Sequence, residues 1–83
     1  MPEAFRDDGF KFLILLPPKE HKPAHVHVEK AGEVVVLLLT VRDELPELRE
    51  ATNMKPADVR RARRIARENR HHLMKEWRKH HGS

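Results

Sequence analysis

The chain contains no cysteine and no tyrosine, a single tryptophan, three phenylalanines and three glycines in 83 residues. Without cysteine there can be no disulfide and no thiolate zinc site, and the absence fits a reducing compartment. With so few aromatic rings, the base-stacking platforms typical of single-strand binders are scarce. No apolar run approaches the roughly 20 residues of a membrane-spanning helix. The N-terminal Met1-Pro2-Glu3-Ala4 lacks the basic stretch and apolar core of a signal peptide. A cytoplasmic protein with no membrane partner is the expectation. A second core would need roughly 50 further residues, so residues 1–83 are expected to form one domain. The terminal His80-His81-Gly82-Ser83 points to no function.

Charge is plentiful and unevenly placed. The net charge is +4, but residues 56–81 hold nine Lys and Arg against Asp58, Glu68 and Glu76, a net +6, while residues 1–55 are net −2. Segregated charge of this kind bears on partners rather than on fold.

Strand signals occupy the first half. Phe10 to Leu16 is short, apolar and bounded by Gly9 and Pro17-Pro18, which predicts a strand. Pro17 to Pro23 reads as a loop. His25-Val26-His27-Val28-Glu29 alternates with the two-residue period of a half-buried strand. Lys30-Ala31-Gly32-Glu33 supplies a turn in which Gly32 can take positive φ, and Val34 to Val41 is a third strand. Residues 25–41 therefore predict a β-hairpin. Between 42 and 55 the pattern fits a short helix over 43–52, capped by Asp43, or an ordered loop.

From Pro56 to about His80 the spacing predicts one long helix. Pro56 suits the first helical position, and Asp58 opposes the positive end of the macrodipole. Lys55 is a poor cap. Val59, Ala62, Ala66, Leu73 and Trp77, flanked by Ile65, form one apolar stripe. The expected architecture is α+β: a three-stranded antiparallel sheet packed by one amphipathic helix. Asn69 falls inside the stripe, where a buried amide needs a partner, and sheet or loop backbone is the expected one. His71 lies on the basic side and His72 at the border of the stripe, as a packing residue.

The strands are apolar on both faces. Phe10, Phe12, Ile14 and Leu16 oppose Leu13 and Leu15; Val34, Val36 and Leu38 oppose Val35, Leu37, Leu39 and Val41. One helix covers one face. Each large aliphatic side chain left in water forfeits roughly 1.5–3 kcal/mol of burial. The second face is therefore expected to meet another chain, a homodimer copy or a small protein partner, unless residues 42–55 fold over it.

Three candidate sites emerge from residue type and spacing. His25 and His27 project from one strand face, and a strand histidine can serve as general acid or base in RNA cleavage. His21, His25 and His27 offer imidazoles to a metal, although such histidines are more often hydrogen-bonded polar residues of the wetter face. Arg60, Arg63, Arg64, Arg67, Lys75 and Arg78 lie opposite the apolar stripe, where they can neutralise nucleic-acid phosphates. A solvated helix face, or ion pairs with the acids of residues 43–50, explains the same arginines. No cofactor motif is present.

Three segments together resemble a known family of small bacterial and archaeal proteins. They are Phe5-Arg6-Asp7-Asp8-Gly9-Phe10-Lys11-Phe12, Pro23-Ala24-His25-Val26-His27-Val28-Glu29-Lys30, and Glu68-Asn69-Arg70 followed by Leu73 and Trp77. The family is that of domain of unknown function 4160. Ala24 stands where a second proline is usual, and Lys55 where a serine cap is usual. The resemblance brings no established activity with it. It does imply a small component of two-gene modules like toxin–antitoxin pairs, encoded beside another small protein. The favoured expectation is a protein-interaction module with a basic helix near nucleic acid; the alternative is a small ribonuclease-type toxin using His25 or His27.

Overall fold

A computed structural model describes residues 3–14, 23–51 and 53–81. Five strands, β1 (Glu3–Asp7), β2 (Phe10–Leu13), β3 (His25–Lys30), β4 (Glu33–Leu38) and β5 (Leu48–Ala51), precede two helices, α1 (Pro56–Glu68) and α2 (Arg70–His81). The strands form one antiparallel sheet in the order β1-β2-β3-β4-β5. The fold is α+β as expected, but the sheet has five strands rather than three, and there are two helices rather than one.

The central hairpin follows the sequence pattern. β3 and β4 pair from His25↔Leu38 to Lys30↔Glu33, and Leu39 N–H extends the ladder to the Ala24 carbonyl at 2.9 Å. The turn places Ala31 and Gly32 at φ 51° and 82°, the two positive values of a type I′ turn, whose twist matches that of the flanking strands. Asp8 and Gly9 adopt the same pair of values, 51° and 81°, and join β1 to β2. The apolar pattern hides the first strand because Gly9 reads as a strand boundary. Asp-Gly is in fact a hairpin signature, and Phe5 pairs opposite Phe12 with the rings 5.6 Å apart, edge to face.

The expected short helix over 43–52 is corrected. Residues 41–44 are bends, and Leu48–Ala51 pairs with β4. All four residues of β5 are exposed, so no apolar period announces the strand. Its cause is the ladder itself: the outer N–H and C=O groups of β4 need partners.

The expected single helix breaks at Asn69, which leaves helical geometry at φ −113°, ψ 23°. Its Nδ2 donates to the Ile65 carbonyl at 2.9 Å and its own N–H reaches the same oxygen at 3.0 Å. The amide partner is thus the preceding helical turn, not the sheet or loop. Asparagine competes for nearby backbone in this way and is a weak helix former. Lys55 makes no side-chain cap bond, while Pro56 and Asp58 take their expected first-turn places.

Both helices bury their stripe on one sheet face. Phe10, Phe12, Ile14, Val26, Val28, Val35 and Leu37 form a single cluster with Met54, Ala62, Ile65, Ala66, Leu73 and Trp77. Leu15 and Leu16 lie outside the described residues. Among the described residues no helix is long and apolar enough to cross a membrane.

Ala31 has a Cβ in the left-handed region, which costs roughly 1–2 kcal/mol and which asparagine tolerates better. Ala31→Asn should therefore raise the midpoint of thermal unfolding by several degrees, roughly 4–8 °C per kcal/mol in a domain of this size. Calorimetry checks it; an unchanged or lower midpoint counts against a strained turn.

Candidate functional site

The register of the sheet defines the face turned away from the helices. Val26 and Val28 point into the core, so His25, His27 and Glu29 fall on the other side, where the His25 ring at the start of the strand also meets Trp77 of α2. Pairing aligns Leu13, His27, Val36 and Glu50 in one row across β2 to β5, with Glu3 of β1 opposite Leu13. Arg6, Lys11, Glu29 and Val34 form the next row. Carboxylates thus end the first row, leucine and valine flank its centre, and a histidine sits on the central strand. Leu13, Val34 and Leu38 are half-buried and Val36 is 8% exposed. The apolar area in water is therefore smaller than alternation alone predicts.

Residues 41–47 do not roof this face. They run beside the helices, where Arg63 Nε donates to the Pro46 carbonyl at 2.8 Å and Arg70 Nε to the Val41 carbonyl at 3.0 Å. Asp43 lies 3.8 Å from both Arg67 and Arg70. Among the described residues, the large hydrophobics most open to water belong to this stretch and to β5: Val41, Leu45 and Leu48, at 43%, 41% and 39%.

His25 begins β3 and is 6% exposed. Its Nδ1 is 2.8 Å from the Pro23 carbonyl; a carbonyl only accepts, so this nitrogen carries the proton. The ring lies 5.5 Å from that of His27 and 5.3 Å from Trp77. Trp77 in turn stacks on His81 at 3.6 Å. The surroundings of His25 are those of a packed ring, while His27 is half-buried on the helix-free face. Of the metal set, His21 lies outside the described residues, and among the described residues no three His, Cys, Asp or Glu side chains gather as a metal site.

The basic residues divide into two groups. Arg63, Arg67 and the unforeseen Arg70 hold the 41–47 segment. Arg60, Arg64, Lys75 and Arg78 are exposed, the first two on α1 and the others beyond the break on α2. Arg61 pairs with Asp8 of the first turn. Lys30 lies 3.3 Å from Asp58 and 4.6 Å above the Phe10 ring, tying the second turn to the start of α1. Arg70 also bonds the Arg67 carbonyl at 2.8 Å, which satisfies a terminal group of α1. Its proximity to Asp43 depends on β5 joining the sheet, so no local pattern reveals it. His72, expected to pack at the border of the stripe, is exposed; its Nε2 is 2.9 Å from the Ala4 carbonyl and its ring meets Phe5 edge-on at 6.0 Å.

On β1, the side-chain bond from Arg6 holds the Glu3 carboxyl below its ordinary pKa, and the same bond raises that of Arg6. Both groups are solvated, and such surface pairs contribute little to stability.

The fold and its surfaces define a small two-layer α+β domain, a five-stranded meander carrying a helix pair on one face and a histidine-centred row on the other. The chain belongs to the family described as Domain of unknown function (DUF4160), whose model matches residues 9–78. No curated protein and no solved structure matches it.

If His25 is a packing residue, His25→Ala should cost roughly 1–3 kcal/mol of stability and shift the emission of Trp77, the single tryptophan. His27→Ala should cost less. Denaturant titration followed by fluorescence checks both; an unperturbed His25→Ala protein contradicts the packing role.

Proposed function

We propose that this chain is a non-enzymatic protein-interaction module that engages its partner through the helix-free face of the sheet. The partner is a second copy or a small protein encoded beside it, in a unit of the toxin–antitoxin type. The observation that carries this reading is the face itself: Leu13 of β2 and Val34, Val36 and Leu38 of β4 surround His27 of β3, and the apolar stripes of the helices are buried on the opposite side, while Trp77 of α2 also meets the His25 ring at the start of β3. Buried between two chains, these residues gain the remainder of their transfer free energy.

The sheet edges favour a face over an edge as the contact. β1 carries an irregularity in register between Glu3 and Phe5 and an Arg6–Glu3 ion pair, and β5 places Arg49 and Glu50 at its centre. Bulges and charges on edge strands discourage pairing with other chains. A ribonuclease-type mechanism has less support. The His25 ring is enclosed by Trp77 and engaged by Pro23, leaving little room for a substrate hydroxyl.

Leu38→Glu places a charge on the proposed contact, whereas Leu45→Glu alters an exposed loop. Binding of the neighbouring gene's product, and self-association, should be lost with the first and retained with the second. Light scattering and co-elution measure both. A wild-type protein that stays monomeric at high concentration and ignores its genomic neighbour contradicts the reading.

Nucleic acid is the second partner we propose, through Arg60, Arg64, Lys75 and Arg78. Arg63 and Arg67, engaged with the 41–47 segment, contribute less. Retention on heparin and binding of a labelled oligonucleotide should fall with added salt, since each phosphate neutralised releases counterion. Arg60→Glu with Arg64→Glu should weaken both. Absence of binding to the oligonucleotide at low salt removes this partner.

A further inference from the structure

We propose that Arg67 is a third phosphate contact of the basic face, and that Asp43 occupies its guanidinium as an internal stand-in for a phosphate. Nucleic acid and the 41–47 segment then compete for one arginine. The inference rests on the nucleic-acid reading above and names the contact that tempers it.

Arg60, Arg64 and Arg67 lie four and three residues apart on α1, the intervals at which helical side chains share a face. At 1.5 Å per residue they span about 10 Å of helix. Arg60 and Arg64 are exposed, whereas Arg67 is half-buried. A line of three cations is thus open at two positions and covered at the third.

The group that covers the third position is a loosely held carboxylate. Arg67 Nε lies 3.8 Å from Asp43 Oδ1, and Arg70 Nη1 lies 3.8 Å from the same oxygen. Both separations exceed hydrogen-bond length, and the Asp43 side chain is 77% exposed. The rest of the segment is anchored differently. Arg63 donates to the Pro46 carbonyl at 2.8 Å and Arg70 to the Val41 carbonyl at 3.0 Å. Those bonds fix backbone, so an anion that captured Arg63 or Arg70 would unseat the segment. Arg67 meets the segment through charge alone. Asp43 can turn into water and leave both carbonyl anchors in place.

A phosphate accepts the same forked donors of a guanidinium as a carboxylate does. A solvated ion pair of this kind shifts an equilibrium by up to roughly fivefold. Asp43 therefore weakens binding without blocking it.

Asp43→Asn tests the competition with a labelled oligonucleotide at low salt. The variant should bind roughly two- to fivefold more tightly than wild type. Its plot of log affinity against log salt should steepen by about 0.7–0.9, the increment of one further phosphate contact. Glu44→Gln changes the net charge equally at the next residue and should give a smaller gain. Adding Arg67→Gln to Asp43→Asn should remove the gain. Equal gains from Asp43→Asn and Glu44→Gln, or a gain that persists without Arg67, overturn the proposal. Circular dichroism confirms that each variant folds. A second readout needs no variant: in the wild-type protein the Arg67 Nε–H resonance should shift at saturating oligonucleotide, and a static resonance overturns the contact. If wild type binds and Asp43→Asn gains nothing, only this inference falls. If neither protein binds at low salt, the nucleic-acid reading falls with it.

Discussion

The structure depends on one contact, the packing of a single helical layer against one face of the sheet. Phe10, Phe12, Val26, Val28, Val35 and Leu37 contribute from the strands, and Ala62, Ile65, Ala66, Leu73 and Trp77 from the helices. In a chain this short no second core can form, so every other feature is arranged around that layer. The break at Asn69 divides the helical layer into two segments, and α2 brings Trp77 to the start of β3. The ties at the periphery then hold the layer in register: Lys30 to Asp58 at one turn, Arg61 to Asp8 at the other, and the arginines of α1 and α2 to the 41–47 segment.

The same economy shapes the surfaces. Committing both helices to one side leaves the other with a patterned row, and commits part of the basic helix surface to structure. An arginine whose guanidinium is bonded to a backbone carbonyl is less available to a phosphate than one in water, so the basic stripe that looks uniform in sequence is two populations in space. His25 and His27 diverge in the same way. Two residues apart and identical in kind, they differ because one begins its strand against Trp77 while the other lies in the middle of the sheet.

The central hairpin, the apolar stripe and the first-turn residues of α1 were legible because each is a local periodic signal, with a period of 2.0 or 3.6 residues, or a short capping pattern. β1 was legible in principle through Asp8-Gly9, a hairpin turn whose two residues both take positive φ. β5 was not, since Leu48-Arg49-Glu50-Ala51 is exposed throughout and becomes a strand only because β4 offers it a ladder. The break at Asn69 was half legible. The residue is a weak helix former, yet nothing nearby resembles the proline or glycine that usually ends a helix, and its side-chain bond to Ile65 is a detail of packing.

By itself the sequence determined the class of fold, the helical stripe of the core and membership in the family, because these reside in helical period, alternation and short motifs. Only the tertiary structure decided how many strands the sheet has, which arginines are engaged, and which of two neighbouring histidines is enclosed. Those outcomes turn on contacts between residues far apart in the chain, such as Arg70 with Val41 and His25 with Trp77, and a local pattern holds no record of them.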